Sequence, residues 1–397
     1  MTEKTNIPQG YKDSPLGIIP KEWEVKRLGE ICTHFKSGTT ITAKEISEKG
    51  LYPVYGGNGL RGYSNTYTHN GDYILIGRQG ALCGNINFVC GKSYISEHAI
   101  AVQTDENMMW LRYKLENWNL NRFSESSAQP GLSVEKLVRY KLTVPTLNEQ
   151  IGIATILQLW DTAIEKQSEL IEKLKLRKRA LMWQLLTGKK RLSGFSGEWK
   201  RLKLGDIAER ITRKNEEDNK NVVTISAQRG FVVQTDFFNK SVASEVLDNY
   251  FLVYKDEFCY NKSYSNGYPM GAIKRLKSFD KAVVTTLYIC FKLKNMASVN
   301  IDFFEQYCES GIFNKELIKV ANEGGRAHGL LNVTSADFFN MHMRIPNIDE
   351  QNAIAILLVN ADKEIELTKE KLASLQSQKQ GLMQQLLTGK KRIKNIE

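Results

Sequence analysis

The stretch PTLNEQIGIATILQLWDTAIEKQSELIEKLKLRKRALMWQLLTGKKRL, residues 145–192, returns as PNIDEQNAIAILLVNADKEIELTKEKLASLQSQKQGLMQQLLTGKKRI, residues 346–393. The offset is 201 residues, without a gap, and 22 of 48 positions are identical. A repeat of this quality decides the fold before any local reading. In the first copy a seam of alternating four- and three-residue steps runs through Ile153, Leu157, Trp160, Ile164, Gln167, Ile171, Leu174, Lys178, Leu181 and Leu185. In the second it runs through Ile354, Leu358, Ala361, Ile365, Thr368, Leu372, Leu375, Lys379, Leu382 and Leu386. That spacing predicts a long helix with a coiled-coil seam in each copy. The same two seam positions are polar in both, Gln167/Thr368 and Lys178/Lys379. Polar seam residues lower stability and help fix register and partner.

The helix ends have physical markers. Thr146 with Glu149, and Asn347 with Glu350, have capping-box spacing behind a helix-breaking proline. Gly188 and Gly389 stand where a helix closes on a left-handed residue, and a basic triplet follows each, favourable at the negative helix end. About 40 residues at about 1.5 Å each make a rod of about 60 Å. Two rods separated by a globular segment predict an intramolecular antiparallel pair. Two unrelated amphipathic core helices are the alternative, and the gapless heptad argues against it.

The 397 residues suffice for two or three domains. Lysine and arginine number 55 against 44 acids, a net charge of +11, which favours a polyanionic partner and also suits a merely basic protein. The six cysteines show no CxxC pairing and read as reduced thiols in a cytoplasmic protein. No apolar run is long enough to span a membrane, and the N-terminus, with Lys4, Pro8 and Lys12, does not read as a signal peptide.

A second repeat precedes the long helices. Glu22-Trp23 leads to Leu28-Gly29-Glu30-Ile31, and Glu198-Trp199 leads to Leu204-Gly205-Asp206-Ile207. Each half is therefore a short lead-in motif, a globular insert and a long helix. Both inserts predict short strands separated by turn signals, with helices late in each. In the first the strands are Tyr52–Tyr55, Tyr73–Ile76, Ile86–Val89 and Ala99–Val102, with a helix over Met108–Leu120. In the second they are Val222–Ile225, Phe231–Gln234, Glu257–Tyr260 and strands within Lys281–Leu293, with helices over Ile301–Glu309 and Phe313–Ala321. Asp72–Leu75 is aligned with Glu257–Tyr260, Gly80-Ala81 with Gly271-Ala272, and Lys92–Val102 with Lys281–Phe291. The fold class is α+β: two globular α/β domains alternating with two long helices packed as an antiparallel coiled coil, with pseudo-twofold symmetry. The expected boundaries are 1–30 (arm and lead-in), 31–144, 145–192 (long helix), 193–206 (linker and second lead-in), 207–345 and 346–397 (long helix and basic tail).

Catalytic signatures are sparse. No Asn/Asp-Pro-Pro-Tyr/Phe motif of adenine-flipping methyltransferases occurs. Gly91-Lys92-Ser93 fails as a phosphate loop because Ile86 stands where a glycine is required. The five histidines lack metal-ligand spacing, and Glu97-His98 is a bare dipeptide. No catalytic residue, metal site or cofactor is expected.

With these motifs in order, the chain resembles the specificity subunit of a type I restriction-modification system over nearly its whole length. Carrying the resemblance are Asp13-Ser14-Pro15-Leu16-Gly17 through Trp23, Leu28-Gly29-Glu30-Ile31, the two Pro-x-x-x-Glu-Gln helix starts and the two Leu-Leu-Thr-Gly-Lys-Lys-Arg ends. The resemblance implies two target-recognition domains, each reading one half of a split, asymmetric target in double-stranded DNA. It implies long helices that space the halves and dock two methyltransferase (modification) subunits, and motor-nuclease (restriction) subunits that join to cleave unmodified DNA. Catalysis would then lie in the partners. A coiled-coil adaptor without sequence-specific DNA binding is the alternative.

Base reading needs Arg, Lys, Asn, Gln or Ser/Thr on loops that reach a groove, and phosphate contact needs Lys, Arg or open backbone amides. The first insert offers Asn58, Arg61 and Tyr63 in a glycine-rich turn, Arg78 and Gln79 between glycines, and Lys92 to Ser96. The second offers Gln228, Arg229, Asn261, Lys262, Tyr264, Lys274, Arg275 and Arg326. Such loops are also ordinary solvated turns. Ile151, Leu176 and Trp183 lie off the seam and, with Gln150 and Gln351, are candidate docking points for the methyltransferases. The Lys-Lys-Arg clusters read first as helix-end charge and second as phosphate contacts.

Overall fold

The computed structural model describes residues 7–80, 82–124, 131–234, 247–321 and 331–393. The two long helices run from Leu147 to Leu186 and from Ile348 to Leu386. The chain divides into two compact units: Met1–Ser168 with Glu370–Glu397, and Glu169–Lys369. The division falls inside both long helices, so each unit holds one globular portion, the first part of one helix and the last part of the other. Every seam residue named from the heptads is buried or half-buried.

In the first unit the two helix segments run antiparallel. Arg392 reaches Glu149 at 2.7 Å and Lys379 reaches Asp161 at 2.5 Å, the index falling on one helix as it rises on the other. The second unit repeats this with Arg191 on Glu350 at 2.5 Å and Lys178 on Asp362 at 2.5 Å. The seam lysines are thus paired, each with the aspartate of the opposing segment. In each unit the helix of the globular part joins the same aspartate. The Tyr113 hydroxyl donates to Asp161 at 2.5 Å and the Gln306 amide donates to Asp362 at 2.7 Å.

Gly188 and Gly389 take φ of 71° and 75°, closing the helices in the left-handed region that glycine adopts without cost. Asn347 caps its helix, its side-chain oxygen accepting from the Glu350 amide at 2.9 Å. The reciprocal half of the capping box is not made: Glu149 accepts from Trp23 and Arg392, and Glu350 accepts from Arg191. The arginine of each basic triplet is therefore an ion-pair partner of the opposing helix start, a more specific role than helix-end charge.

The globular portions share one sheet topology. The first unit has a four-stranded antiparallel sheet in the order Cys32–Ser37, Ala99–Thr104, Tyr73–Gly77, Ile86–Val89. The second has Ala208–Ile211, Ile289–Leu293, Phe258–Asn261, Ala272–Arg275, in the same chain order. One face of each sheet packs on a capped helix. Met108–Asn117 begins where the Asn107 side chain accepts from the Trp110 amide at 2.8 Å, and Ile301–Glu309 where Asn300 accepts from Phe303 at 2.8 Å. Ile74, Ile76, Ile100 and Val102 join Trp110, Leu111, Ile153, Leu157 and Leu386 in one core. Phe258, Tyr260, Ile289 and Phe291 join Phe303, Phe304, Leu185 and Leu358 in the other. The core therefore matches Ile74, not Tyr73, with Phe258: the alignment of Asp72–Leu75 with Glu257–Tyr260 is one residue out, which on a strand exchanges the two faces. Lys92–Val102 and Lys281–Phe291 do correspond, strand for strand: Lys92–Ile95 with Lys281–Val284, then Ala99–Thr104 with Ile289–Leu293.

The lead-in motifs close each unit. Leu28 donates its amide to the Tyr140 carbonyl and Leu204 to that of Met341, both at 2.8 Å, beside the strand pairs Glu24–Arg27 with Lys141–Val144 and Lys200–Lys203 with His342–Ile345. The first unit adds a sheet in the order Gly59–Ser64, Tyr52–Gly56, Lys92–Ile95, His69–Asn70. The second adds the pairs Val223–Ser226 with Gly230–Val233 and Phe251–Tyr254 with Lys281–Val284. Burial pushes the Cys32 thiol up to about 12, so it is held as the unreactive thiol. No helix among the described residues is long and apolar enough to cross a membrane.

Candidate nucleic-acid interface

In the first unit three loops converge. The hairpin turn between Tyr52–Gly56 and Gly59–Ser64 carries Asn58, and Arg61 follows it; both are exposed. The loop after Tyr73–Gly77 carries Arg78 and Gln79, and the turn after Lys92–Ile95 carries Ser96, Glu97 and His98. Backbone bonds knit them: Ser96 N–H donates to the Tyr55 carbonyl at 2.8 Å and Arg78 N–H to that of His98 at 2.9 Å. Glycine is required at the meeting point. A Cβ on Gly57 would stand 2.8 Å from the His98 carbonyl oxygen and 3.2 Å from the Gly77 Cα.

Asn58, Arg61, Arg78 and Gln79 are thus brought to one loop cluster. His98, set aside in the sequence as half of a bare dipeptide, belongs to it: its Nδ1 is 3.3 Å from Gln79 Oε1 and its Nε2 is 3.2 Å from Glu97. Its place two residues after Ser96 was the available signal. The other candidates in this insert are placed differently. Ser96 is fully buried, so its role is to pack the junction and not to touch a groove. Tyr63 is half-buried, its backbone paired in both directions with Ser47 at 2.9 Å. Lys92 sits at a strand start with its ammonium 4.9 Å from the Tyr67 ring centre.

In the second unit Gln228 and Arg229 form the exposed turn between Val223–Ser226 and Gly230–Val233. The loop leaving Phe258–Asn261 lies against that turn. Gln228 donates to the Asn266 carbonyl at 2.9 Å, and Asn261 donates to that of Ile225 at 3.1 Å. Lys262 follows, half-buried, and Tyr264 is 65% exposed.

Lys274 and Arg275 are corrections. They lie inside the strand Ala272–Arg275, not on a loop. Lys274 is 8% exposed and donates to Glu309 at 2.6 Å. Arg275 is shared among Asp256, Asp302 and Glu305, at 2.5, 2.6 and 3.3 Å. Both fasten the sheet to Ile301–Glu309 and are spent there. Burial, with the Glu309 carboxylate beside it, pushes the Tyr268 phenol up, so Tyr268 donates to Glu309 at 2.8 Å as a neutral hydroxyl. Arg326 lies outside the described residues.

The proposed docking points also separate. Ile151, Leu176 and Trp183 are 47, 60 and 53% exposed on the long helices, Trp183 under the Lys189 ammonium at 3.8 Å. Leu159, Ile356 and Leu367, which the heptad reading did not single out, are exposed by more than half. Gln150 and Gln351 are buried and spent internally, which removes them as docking points. Gln150 donates to the Pro145 carbonyl at 2.9 Å and accepts from the Asn107 amide at 2.9 Å. Gln351 repeats both bonds with Pro346 and Asn300, each at 2.9 Å. The repeated glutamine locks each helix start to the capping residue of the globular helix.

Comparison with known proteins places this geometry. The family profile described as "Type I restriction modification DNA specificity domain" matches residues 20–176 and 196–377. The chain is 43% identical over 167 residues to the specificity subunit of the type I restriction enzyme EcoprrI of Escherichia coli, a match covering 40% of this chain and 41% of that subunit. It is 23% identical over 415 residues to the MjaVIII specificity subunit of Methanocaldococcus jannaschii, covering 95% of each. The crystal structure of the S subunit of a type I restriction-modification system from M. genitalium superposes with a TM-score of 0.57 at 15% identity, covering 98% of both chains. A structure from work on complex assembly and conformational transition of the type I R-M system gives 0.56 at 14% identity, covering 94% of this chain and 99% of that one. The two profile matches take in both globular portions with their lead-in strands, and the neighbours share the fold, so this chain belongs to the type I restriction-modification DNA specificity subunits and carries the family's domain twice.

Proposed function

We propose that the two globular portions read two different short blocks of one DNA duplex and direct adenine methylation and restriction by partner subunits. The observation that carries this reading is one sheet topology with two unlike loop sets at its edge. Asn58, Arg61, Arg78 and Gln79 gather in one unit, and Gln228, Arg229, Asn261, Lys262 and Tyr264 in the other. Unlike readers on a repeated frame give two unlike blocks and a target that is not palindromic. The long helices set the unread spacer between the blocks, and the partner methyltransferases turn out one adenine in each block. Exposed apolar residues on each unit, Ile151 and Leu159 on the first and Leu176, Trp183 and Ile356 on the second, offer those partners docking points. A net charge of +11 supports phosphate contact as the sequence-independent part of binding.

The test is a genome-wide map of methylated adenine with and without this gene. One bipartite motif should lose methylation in the deletion. An unchanged map in cells that express the partner subunits refutes the reading and favours a protein-binding adaptor.

A further inference from the structure

The first unit holds a cavity of about 1080 Å³ lined by none of the candidate DNA-reading residues. Leu16 and Ile18 of the N-terminal arm form one side, exposed by 47 and 39%. Trp118, Phe123, Tyr140 and Leu142 form the other. At its lining stands Lys114, 5% exposed. The Lys114 ammonium donates to the Thr143 hydroxyl at 2.8 Å and to the Leu387 carbonyl at 2.6 Å. An ammonium has three protons to donate, and among the described residues the third has no acceptor. The other charged residues of the lining are Arg122, Lys141 and Lys390; among the described residues no aspartate or glutamate lines it. Burial without a counter-charge pulls Lys114 down to about 7.

A largely apolar cavity with one buried cation, whose charged lining residues among those described are all basic, is complementary to one kind of guest. We infer that the cavity binds a small amphiphilic organic anion: an aromatic or branched apolar body ending in one carboxylate or sulfonate. The anionic end takes the free Lys114 proton, and the body lies among Trp118, Phe123 and Tyr140. The volume is just above the roughly 300–1,000 Å³ typical of small-molecule sites. The second unit differs at the position of the cation. Counting from the capping residues Asn107 and Asn300, Tyr307 stands where Lys114 stands, and burial pushes its phenol up, away from any charge. Guest binding is independent of which bases the protein reads.

The experiment is a fluorescence titration of the full chain with 8-anilinonaphthalene-1-sulfonate and with N-phenyl-1-naphthylamine, the same ring system without the sulfonate. The sulfonate should bind at one per chain and at least about tenfold more tightly than the neutral probe at pH 6.5. Because the guest needs the protonated amine, that preference should shrink as pH rises through 7 to 8.5. Lys114→Met should abolish the preference and leave the neutral probe unchanged. Ile18→Trp, which blocks the mouth at an exposed position, should weaken both. Lys114→Met could disturb the end of the second long helix, so the rim variants Lys141→Gln and Lys390→Gln are measured too; each should weaken the sulfonate alone. Equal affinity of the two probes for the unaltered protein overturns the inference. So does sulfonate binding untouched by Lys114→Met and both rim variants, or an Ile18→Trp chain that binds both probes as before but assembles poorly with its partner subunits.

Discussion

Arg191→Ala and Arg392→Ala remove equivalent residues of the two repeats, and they should not cost the same. Glu350 is fully buried, and the Arg191 guanidinium, at 2.5 and 2.6 Å, is its side-chain partner. Arg191 is itself about a quarter exposed, but its removal strands the buried Glu350 carboxylate, a loss toward the lower end of the roughly 3–5 kcal/mol of a broken buried pair. Glu149 is held by Arg392 at 2.7 Å and also by the Trp23 indole N–H at 2.8 Å. A hydrogen bond to a charged group is worth roughly 1.5–3 kcal/mol, so Arg392→Ala should cost about 2 kcal/mol less than Arg191→Ala. The indole of Trp199, at the place of Trp23 in the second lead-in, does not supply that bond; its Nε1 is buried without a partner among the described residues. For a unit of this size about 2–4 °C accompanies each kcal/mol, so Arg191→Ala should lower the melting temperature on the order of 10 °C. Calorimetry on the full chain, with urea titrations read by circular dichroism, measures both variants. The double variant Arg191→Ala with Glu350→Gln should recover much of the loss, because the stranded charge goes with its partner. An Arg392→Ala loss equal to or larger than that of Arg191→Ala, or no recovery in the double variant, refutes the reasoning.

Other outcomes follow from the same geometry. Lys114 titrates at about 7 in the folded chain against the ordinary lysine value of 10.5, so the unfolded chain holds the extra proton between those values. Stability should therefore rise with pH across that window, by at most about 1.4 kcal/mol per pH unit, and Lys114→Met should flatten the slope; urea midpoints at pH 7, 8 and 9 decide it. Arg275→Gln leaves the carboxylates of Asp256, Asp302 and Glu305 facing one another, so it should lower the melting temperature without changing the methylated motif. Arg229→Ala should alter or weaken recognition of one block and leave the other block unchanged, read from the methylated motif. Adding one heptad to both long helices should lengthen the spacer and leave both blocks unchanged, read from the methylated motif; an unaltered spacer removes the helices as its determinant.

The long helices were legible because their signal is local and repeated. Heptads, a proline before each start and a glycine after each end all sit within the element they specify. Of the strands, those that read as continuous apolar runs, such as Tyr73–Ile76, were legible too. Lys274 and Arg275 were not. Two adjacent basic residues read as a solvated turn, and the carboxylates that absorb them come from positions 256, 302, 305 and 309, a meeting made only by the sheet packing on its helix. Gln150 and Gln351 misled for a related reason. A polar residue off a seam looks like surface, and only the turn of the chain at Pro145 and Pro346 folds it inward. The slip of one residue at Tyr73 came from matching residue types without knowing which face of the strand was covered. The loop cluster around Arg78 and Gln79 was half visible, since glycine flags a close backbone approach but not which neighbour approaches; His98 came only with the contact.

The division of the chain has a consequence for its synthesis. The unit containing residues 1–168 is finished by residues 370–397, and the unit made of 169–369 is continuous in sequence. On the ribosome, at roughly 5–20 residues per second, the first globular portion waits on the order of 10–50 s for the strand of chain that completes it. Until then Leu386 and Leu387 are absent from its core, and Lys114 lacks the carbonyl it will hold. The later-made unit can close first. Maturation of these two units therefore runs opposite to their order of translation, and residues 370–397 decide when residues 1–168 become native.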